Sequence, residues 1–170
     1  MLEKISKSID ALSVKQGEVS ALLGVPLLVV VMYEVIMRYV FDAPTSWGFE
    51  LTTFIYGVHY MLGLSYCDVT GGHVRVDIFT ARLPLKGQAA MGVLTGAVFF
   101  LPVTALMTVY SWKYAWVSIA DRELNSTSWA PPIYPIKTLM AVAFTFLLLQ
   151  GISNIIQNIL VLRGKAGTVR

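Results

Sequence analysis

The sequence predicts an all-α integral membrane protein with four transmembrane helices, a short N-terminal amphipathic helix and a cytoplasmic interfacial loop. Of the 170 residues, 56% are hydrophobic and 14% are charged, whereas a typical soluble domain is about a quarter charged. The apolar residues form long runs and do not alternate with polar residues. This pattern favours membrane helices over the strands of a membrane barrel.

Four apolar runs are long enough to cross a bilayer, which requires a helix of about 20 residues. We expect transmembrane helices over 19–40, 49–67, 87–112 and 138–162, within one membrane domain that covers 1–170. Pro26 and Pro102 lie inside the first and third of these helices. Each removes a backbone hydrogen-bond donor and should kink its helix. The only cysteine, Cys67, excludes a disulfide within the chain.

We expect residues 1–17 to form a cytoplasmic segment that differs in character from the apolar runs. Leu2, Ile5, Ile9 and Leu12 recur at helical spacing, and the lysines among them can reach lipid headgroups. The pattern predicts a short amphipathic helix on the membrane surface. A solvated helix that packs on a partner is the alternative interpretation.

The distribution of basic residues predicts that both termini are cytoplasmic. With the N-terminus inside, nine lysines and arginines lie in cytoplasmic segments and four lie in outer segments, as the positive-inside rule requires. The tryptophans agree, because all four fall toward the outer face. They form either an aromatic belt at the headgroups or a contact with an outer partner. These tryptophans are Trp47, Trp112, Trp116 and Trp129.

Three charged residues flank the first outer turn, where an apolar environment makes unpaired charges costly. Glu34 and Arg38 are one helical turn apart and can pair on one face. Glu50 re-enters the membrane at about the depth of Arg38. We expect Arg38 to bridge both carboxylates and to tie the first helix to the second. The alternatives are that the charges extend to the headgroups or that one carboxylate faces a partner.

The two histidines suggest haem ligation, but their positions do not favour it. His59 lies in the second predicted helix, and His73 lies about 21 Å further along on a continuous helix, whereas two axial ligands must face one iron. We expect His59 to bond to a neighbouring helix; a ligand or a proton relay is the alternative. The sequence contains no recognisable catalytic, substrate-binding or metal-ligating motif, and we expect the chain not to be an enzyme.

The loop after the second helix alternates polar and apolar residues, with His73, Arg75 and Asp77 on the polar positions. We expect these three residues to contact phospholipid headgroups or a partner subunit at the cytoplasmic boundary. Arg75 is suited to phosphate, because its planar fork donates two hydrogen bonds at once. An ordinary interfacial loop is the alternative.

Two groups of residues together resemble one family of transport proteins. The first surrounds the outer turn, and the second lies on the cytoplasmic loop. They are Glu34, Arg38-Tyr39-Val40-Phe41, Trp47 and Glu50-Leu51, followed by Gly72-His73-Val74-Arg75-Val76-Asp77. In this order and spacing, the chain resembles the DctQ family, the small permease subunits of tripartite ATP-independent periplasmic (TRAP) transporters. The four-helix layout extends the resemblance over nearly the whole chain.

The resemblance implies a division of labour between three proteins. A large permease subunit carries the substrate and sodium sites and moves like an elevator, and a periplasmic protein captures the substrate, usually an organic acid. The small subunit is a fixed scaffold in the bacterial inner membrane. We therefore expect the large subunit, the binding protein and phospholipid as partners, no nucleic acid, and no cofactor in this chain. The residues alone leave two alternatives: an anchor subunit of a membrane oxidoreductase, and a small channel-like protein.

Overall fold

The computed structural model of the protein describes residues 2–73 and 80–164. These residues are helical almost throughout, and within them the only bridge between extended segments joins Leu124 to Pro132. A 3₁₀ turn spans Thr80–Arg82, and a π-helical turn over Gly96–Phe100 joins two of the helices. The α-helices are α1 (Leu2–Ala21), α2 (Gly24–Tyr39), α3 (Gly48–Val69), α4 (Leu85–Thr95), α5 (Leu101–Ala120) and α6 (Tyr134–Leu162).

Three helical stretches in the described residues are long and apolar enough to cross a membrane: Leu2–Tyr39, Leu85–Ala120 and Tyr134–Leu162. The second predicted transmembrane helix, 49–67, corresponds to α3. Its 22 residues would extend for about 33 Å, which is long enough for the hydrocarbon core. It is less apolar than the others because it contains Glu50, Thr52, Thr53 and His59. A fourth crossing by α3 remains a prediction.

Helix α6 is the centre of the bundle, because it packs against α1, α3, α4 and α5. Helix α2 packs mainly on α3 and contains no buried residue. We call the side of the bundle with residues 40–47 and 121–133 the loop end. The opposite side, where α1 begins and α6 ends, is the terminal end. These two ends contain different kinds of contact.

The distribution of buried and exposed side chains is the reverse of that in a soluble protein. The buried side chains are mostly small or polar, and the large apolar ones are exposed, including Leu22, Phe49 and Trp116. Soluble monomers rarely expose extended apolar patches, whereas membrane helices pack through small residues. The apolar surface therefore fits contact with lipid or with another membrane subunit. The polar residues that are buried are Ser6, Ser13, Ser20, Ser65, Asp68, Thr104, Thr108, Ser111, Ser118, Gln150, Ser153 and Asn158.

Helix α1 packs inside the bundle against α3 and α6, whereas the sequence predicted a helix on the membrane surface. Its buried face consists of small residues, among them Ser6, Ser13 and Gly17. The apolar side chains of Leu2 and Leu12 are exposed. The predicted two-faced helix is thus present, but its polar face contacts other helices. The reason is that α3 and α6 supply hydrogen-bond partners for this face.

Both prolines inside the predicted helices coincide with an interruption of regular α-helix. Pro26 lies just after the break at Leu22–Leu23, which separates α1 from α2. Pro102 follows the π-helical turn, in which the backbone N–H of Leu101 bonds to the carbonyl of Gly96. A proline ring clashes with the carbonyl four residues earlier, and a wider turn relieves such a clash.

Candidate functional site: the interhelical polar contacts

Glu34 joins the end of α2 to the start of α3. One of its carboxylate oxygens accepts a hydrogen bond from Arg38 Nη2 at 2.7 Å, and the other accepts one from the Thr45 hydroxyl. Thr45 Oγ1 in turn accepts the backbone N–H of Gly48 at 3.1 Å. The side chain of Glu34 is 12% exposed and that of Arg38 is 50% exposed. The carboxylate, rather than the arginine, is therefore the centre of this contact.

Glu50, the expected third member of the charge cluster, has a different partner. Its carboxylate accepts a hydrogen bond from Asn125 Nδ2 at 3.3 Å. No ion pair joins Arg38 to Glu50 among the residues that the structure describes. The expected bridge is corrected because Glu50, in the first turn of α3, contacts the 121–133 loop. Glu34 ties α2 to α3, and Glu50 separately ties α3 to this loop.

The four tryptophans divide into two pairs. Trp47 stacks on Tyr33 with ring centroids 5.6 Å apart, and Trp112 Nε1 donates a hydrogen bond to Thr145 Oγ1 at 3.1 Å. Trp116 and Trp129 are exposed, and Trp112 is exposed as well despite its hydrogen bond. The first pair has partners within the chain, and the second is available to lipid or a partner. Their role as a belt or a docking surface remains a prediction.

Lys137 forms a contact at the loop end that sequence reasoning missed. Its ammonium pairs with the carboxylate of Glu123 and lies 3.9 Å from the ring centroid of Tyr114. The hydrogen bond from Lys137 lowers the pKa of the Glu123 carboxyl. These residues tie the start of α6 to α5 and to the 121–133 loop. In the sequence, Lys137 is visible only as an outer positive charge.

His59 bonds to a neighbouring helix, as predicted. Its Nδ1 lies 2.8 Å from the backbone oxygen of Ser20, near the break between α1 and α2. One helical turn before Ser20 on α1, the Gln16 side chain donates a hydrogen bond to the carbonyl of Leu62 at 2.8 Å and accepts one from Ser65 Oγ at 2.7 Å. Together these bonds form a polar seam between α1 and α3.

A second group that the sequence did not reveal surrounds Asp10 near the terminal end. The Asp10 carboxylate accepts hydrogen bonds from Gln150 Nε2 at 2.9 Å, Ser153 Oγ at 2.7 Å and Gln157 Nε2 at 2.7 Å. We call these four residues the Asp10 cluster. Its three donors occupy one face of α6 at spacings of three and four residues. Gln157 Nε2 also donates to Ser6 Oγ at 2.8 Å.

The Asp10 cluster continues to α3 through Asn154. Gln150 Nε2 lies 3.4 Å from Asn154 Oδ1, and Asn154 Nδ2 donates to Asp68 Oδ2 at 2.7 Å. Gln150 is fully buried. Two carboxylates on different helices are therefore linked through the amides of α6. This network holds α1, α3 and α6 together.

His73 is the only one of the three predicted loop residues that lies within the described residues. Its Nε2 is 3.3 Å from the backbone oxygen of Leu64, so the residue folds back on the end of α3. Gly71 has a φ of +72° at the intervening turn, a conformation that glycine adopts without strain. Arg75 and Asp77 lie outside the described residues, and their contacts remain predictions.

Comparison with known proteins agrees with the resemblance seen in the sequence. The family profile described as "Tripartite ATP-independent periplasmic transporters, DctQ component" matches residues 27–161, which is most of the 170-residue chain. No match is found among curated proteins. The family is a transporter component family, which favours a transport role over the oxidoreductase anchor. The chain belongs to the DctQ family and is a membrane component of a TRAP transporter.

Proposed function

We propose that the chain is the small scaffold subunit of the transporter and supports a large permease subunit in sodium-coupled uptake of an organic acid. A periplasmic binding protein delivers the substrate. The observation that carries the proposal is that these polar side chains form contacts within the chain. Glu34, Glu50, Lys137 and the Asp10 cluster all bond to other helices or loops of the same chain. Side chains engaged in this way serve to fix the bundle.

We further propose that α3 is a fourth transmembrane helix, so that the terminal end is cytoplasmic and the loop end faces the periplasm. The excess of lysine and arginine in the segments at the terminal end supports this orientation. The bacterial inner membrane is the location that follows from a periplasmic partner. His73, Arg75 and Asp77 would then lie at the cytoplasmic boundary, in contact with phospholipid or the large subunit.

The exposed face of α2 is the proposed contact with the large subunit. Val25, Val29, Met32 and Ile36 are exposed along this helix, and they recur at spacings of three and four residues. Helix α2 packs mainly on α3, so most of its circumference is available. A partner with a matching apolar face would bury this surface.

Reconstitution tests the proposed function. Vesicles that contain this chain alone should show no substrate uptake. Vesicles that also contain the large subunit, with the binding protein and substrate outside, should accumulate substrate only under an inward sodium gradient. Uptake by this chain alone would refute the scaffold role, and uptake by the large subunit without this chain would show that support is not required.

A further inference from the structure

One face of α3 carries a regular row of uncovered residues. Tyr56 and Tyr60 are 56% and 60% exposed, and Phe49 and Thr53 are exposed as well. A Cβ atom on Gly63 would meet nothing within 4 Å. With 3.6 residues per turn, all five positions fall within about 80° of the helix circumference. We call these five residues the α3 seam.

The spacing within the α3 seam is that of a helix-packing surface. Its members follow one another at intervals of four, three, four and three residues, the heptad spacing by which two helices pack side by side. A glycine in such a row lets a second membrane helix approach closely. Leu62 and Ser65, which bond to α1, lie on the opposite side of α3. The chain therefore packs the other side of α3 and leaves the seam open.

The two tyrosines of the α3 seam lie at the depth of the bilayer centre when α3 is the proposed fourth transmembrane helix. They follow Gly48, the first residue of α3, by eight and twelve residues, or about 12 and 18 Å along the axis. The midpoint of this 22-residue helix is about 16 Å from the same end. Tyrosines of membrane proteins are enriched at the headgroup boundary instead. Their depth here is therefore unusual for side chains that face lipid.

The hydroxyl groups of Tyr56 and Tyr60 have no hydrogen-bond partner among the residues that the structure describes. Thr53 satisfies its own hydroxyl by donating to the backbone oxygen of Phe49 at 2.8 Å. A phenol hydroxyl stands at the far end of a rigid ring and cannot reach the carbonyl one turn back. The headgroups, about 15 Å from the bilayer centre, are also out of reach. Because an unbonded hydroxyl is costly in hydrocarbon, the α3 seam calls for a partner that supplies acceptors.

The rings of Tyr56 and Tyr60 stack with centroids 6.2 Å apart, so each ring restricts the other before a partner binds. Acyl chains supply no hydrogen-bond acceptor. A second copy of α3, related by a twofold axis along the membrane normal, would place each hydroxyl opposite its own copy. Two facing hydroxyls share one hydrogen bond, so one proton of each pair would lack an acceptor. A different helix with its own polar groups satisfies both tyrosines.

We propose that the α3 seam binds a transmembrane helix of the large permease subunit, whose polar groups accept hydrogen bonds from Tyr56 and Tyr60 near the bilayer centre. This inference rests on the proposed function and adds to the contact proposed for α2. Because α2 packs on α3, a partner with several helices can contact both. Such a contact also explains why α3 is the least apolar of the four predicted transmembrane helices.

Photocrosslinking in membranes identifies the occupant of the α3 seam. The full chain with Tyr60→p-benzoylphenylalanine is produced together with the large subunit and irradiated, and an unirradiated sample is the control. We expect a covalent product of this chain with the large subunit. A product of two copies of this chain would overturn the proposal and assign the seam to self-association. Adducts with lipid alone would also overturn it.

Copurification of the wild-type chain with the large subunit separates this proposal from the proposed function. If the two proteins copurify but position 60 does not crosslink to the large subunit, the seam proposal fails and the scaffold role stands. If the wild-type proteins do not associate at all, the proposed function fails and the seam proposal fails with it.

Removal of the two hydroxyl groups tests the hydrogen bonds. The double variant Tyr56→Phe, Tyr60→Phe keeps both rings and should bind the large subunit in detergent roughly tenfold more weakly, as for the loss of two interhelical hydrogen bonds. Tyr110→Phe is the matched control. Tyr110 is 64% exposed, and Lys113 beside its ring places it toward the headgroups, so this variant should keep the wild-type affinity.

The thermal stability of the isolated chain distinguishes a lost partner contact from a lost internal one. It should not fall in the double variant, because the two hydroxyls have no partner within the described residues. Lower stability of the isolated double variant would overturn the proposal by revealing an internal role. Wild-type affinity of the double variant for the large subunit, or an equal loss of affinity in Tyr110→Phe, would also overturn it.

Discussion

The two ends of the bundle are held together by different chemistry. At the loop end, charged side chains form compact contacts: Glu34 with Arg38 and Thr45, and Lys137 with Glu123 and Tyr114. Near the terminal end, the Asp10 carboxylate bonds to neutral amides and a hydroxyl of α6. The charged contacts join neighbouring elements around loops, whereas the Asp10 cluster joins helices distant in sequence. Neutral partners thus carry the long-range packing of this chain.

The largest expected effect is a difference in cysteine labelling between the two ends, because we expect them to lie on opposite sides of the membrane. Ser126 at the loop end and Lys4 at the terminal end are both exposed. In a Cys67→Ala background, Ser126→Cys should react with a membrane-impermeant maleimide on spheroplasts. Lys4→Cys should react only after the membrane is opened. The reverse pattern would contradict the proposed orientation.

Removal of the Asp10 carboxylate should cause the largest loss of stability. Asp10→Leu removes the carboxylate that accepts hydrogen bonds from Gln150, Ser153 and Gln157. Gln157 keeps its bond to Ser6 Oγ, and each buried group that is left unsatisfied costs about 1–3 kcal/mol. We expect the free energy of unfolding to fall by about 2–4 kcal/mol, measured by denaturant titration in detergent. Glu18→Leu is the control, because Glu18 is an exposed acid on the same helix. An equal effect of both substitutions would show that the Asp10 cluster does not hold α1.

Sequence reasoning predicted the helical class, the family and the pairing capacity of Glu34 and Arg38, because charges in an apolar run are conspicuous. It missed the partner of Glu50, because Asn125 is distant in sequence and comes close only when the loop folds back. It also missed the Asp10 cluster. Residues 138–162 contain no charged residue, so the sequence prediction treated Gln150, Ser153 and Gln157 as ordinary parts of an apolar helix. Neutral polar residues repeated on one face of a membrane helix are the signal that would have indicated a buried network.

A smaller effect is expected at the tight contact between α2 and α3. A Cβ atom on Gly48 would lie 2.5 Å from Glu34 Oε2, whereas one on Gly57, also in α3, would meet nothing within 4 Å. Gly48→Ala should therefore displace the Glu34 carboxylate and destabilise the protein by about 1–2 kcal/mol. Gly57→Ala should be neutral or stabilising, because alanine favours the helix. Equal thermal stability of the two variants would indicate that the Glu34 contact adapts without cost.

The smallest expected effect is the contribution of the Lys137–Glu123 ion pair, at the loop end, to the pH dependence of stability. Lys137 lowers the pKa of Glu123 below its usual value of 4.5, so the folded protein keeps this carboxylate ionised at a pH where the unfolded chain binds a proton. The contribution of the pair is complete above about pH 4.5 and is lost as the pH falls through the lower pKa of the folded state. Thermal unfolding at successive pH values should therefore show a steeper loss of stability on acidification in the wild type than in Lys137→Met.

Lys113→Met is the control, because Lys113 lies 5.4 Å from the Tyr110 ring centroid and forms no ion pair among the described residues. This control should retain the wild-type slope, since the other acidic groups titrate equally in both proteins. If Lys137→Met also retained it, the Glu123 pair would contribute nothing to stability, as for many exposed ion pairs.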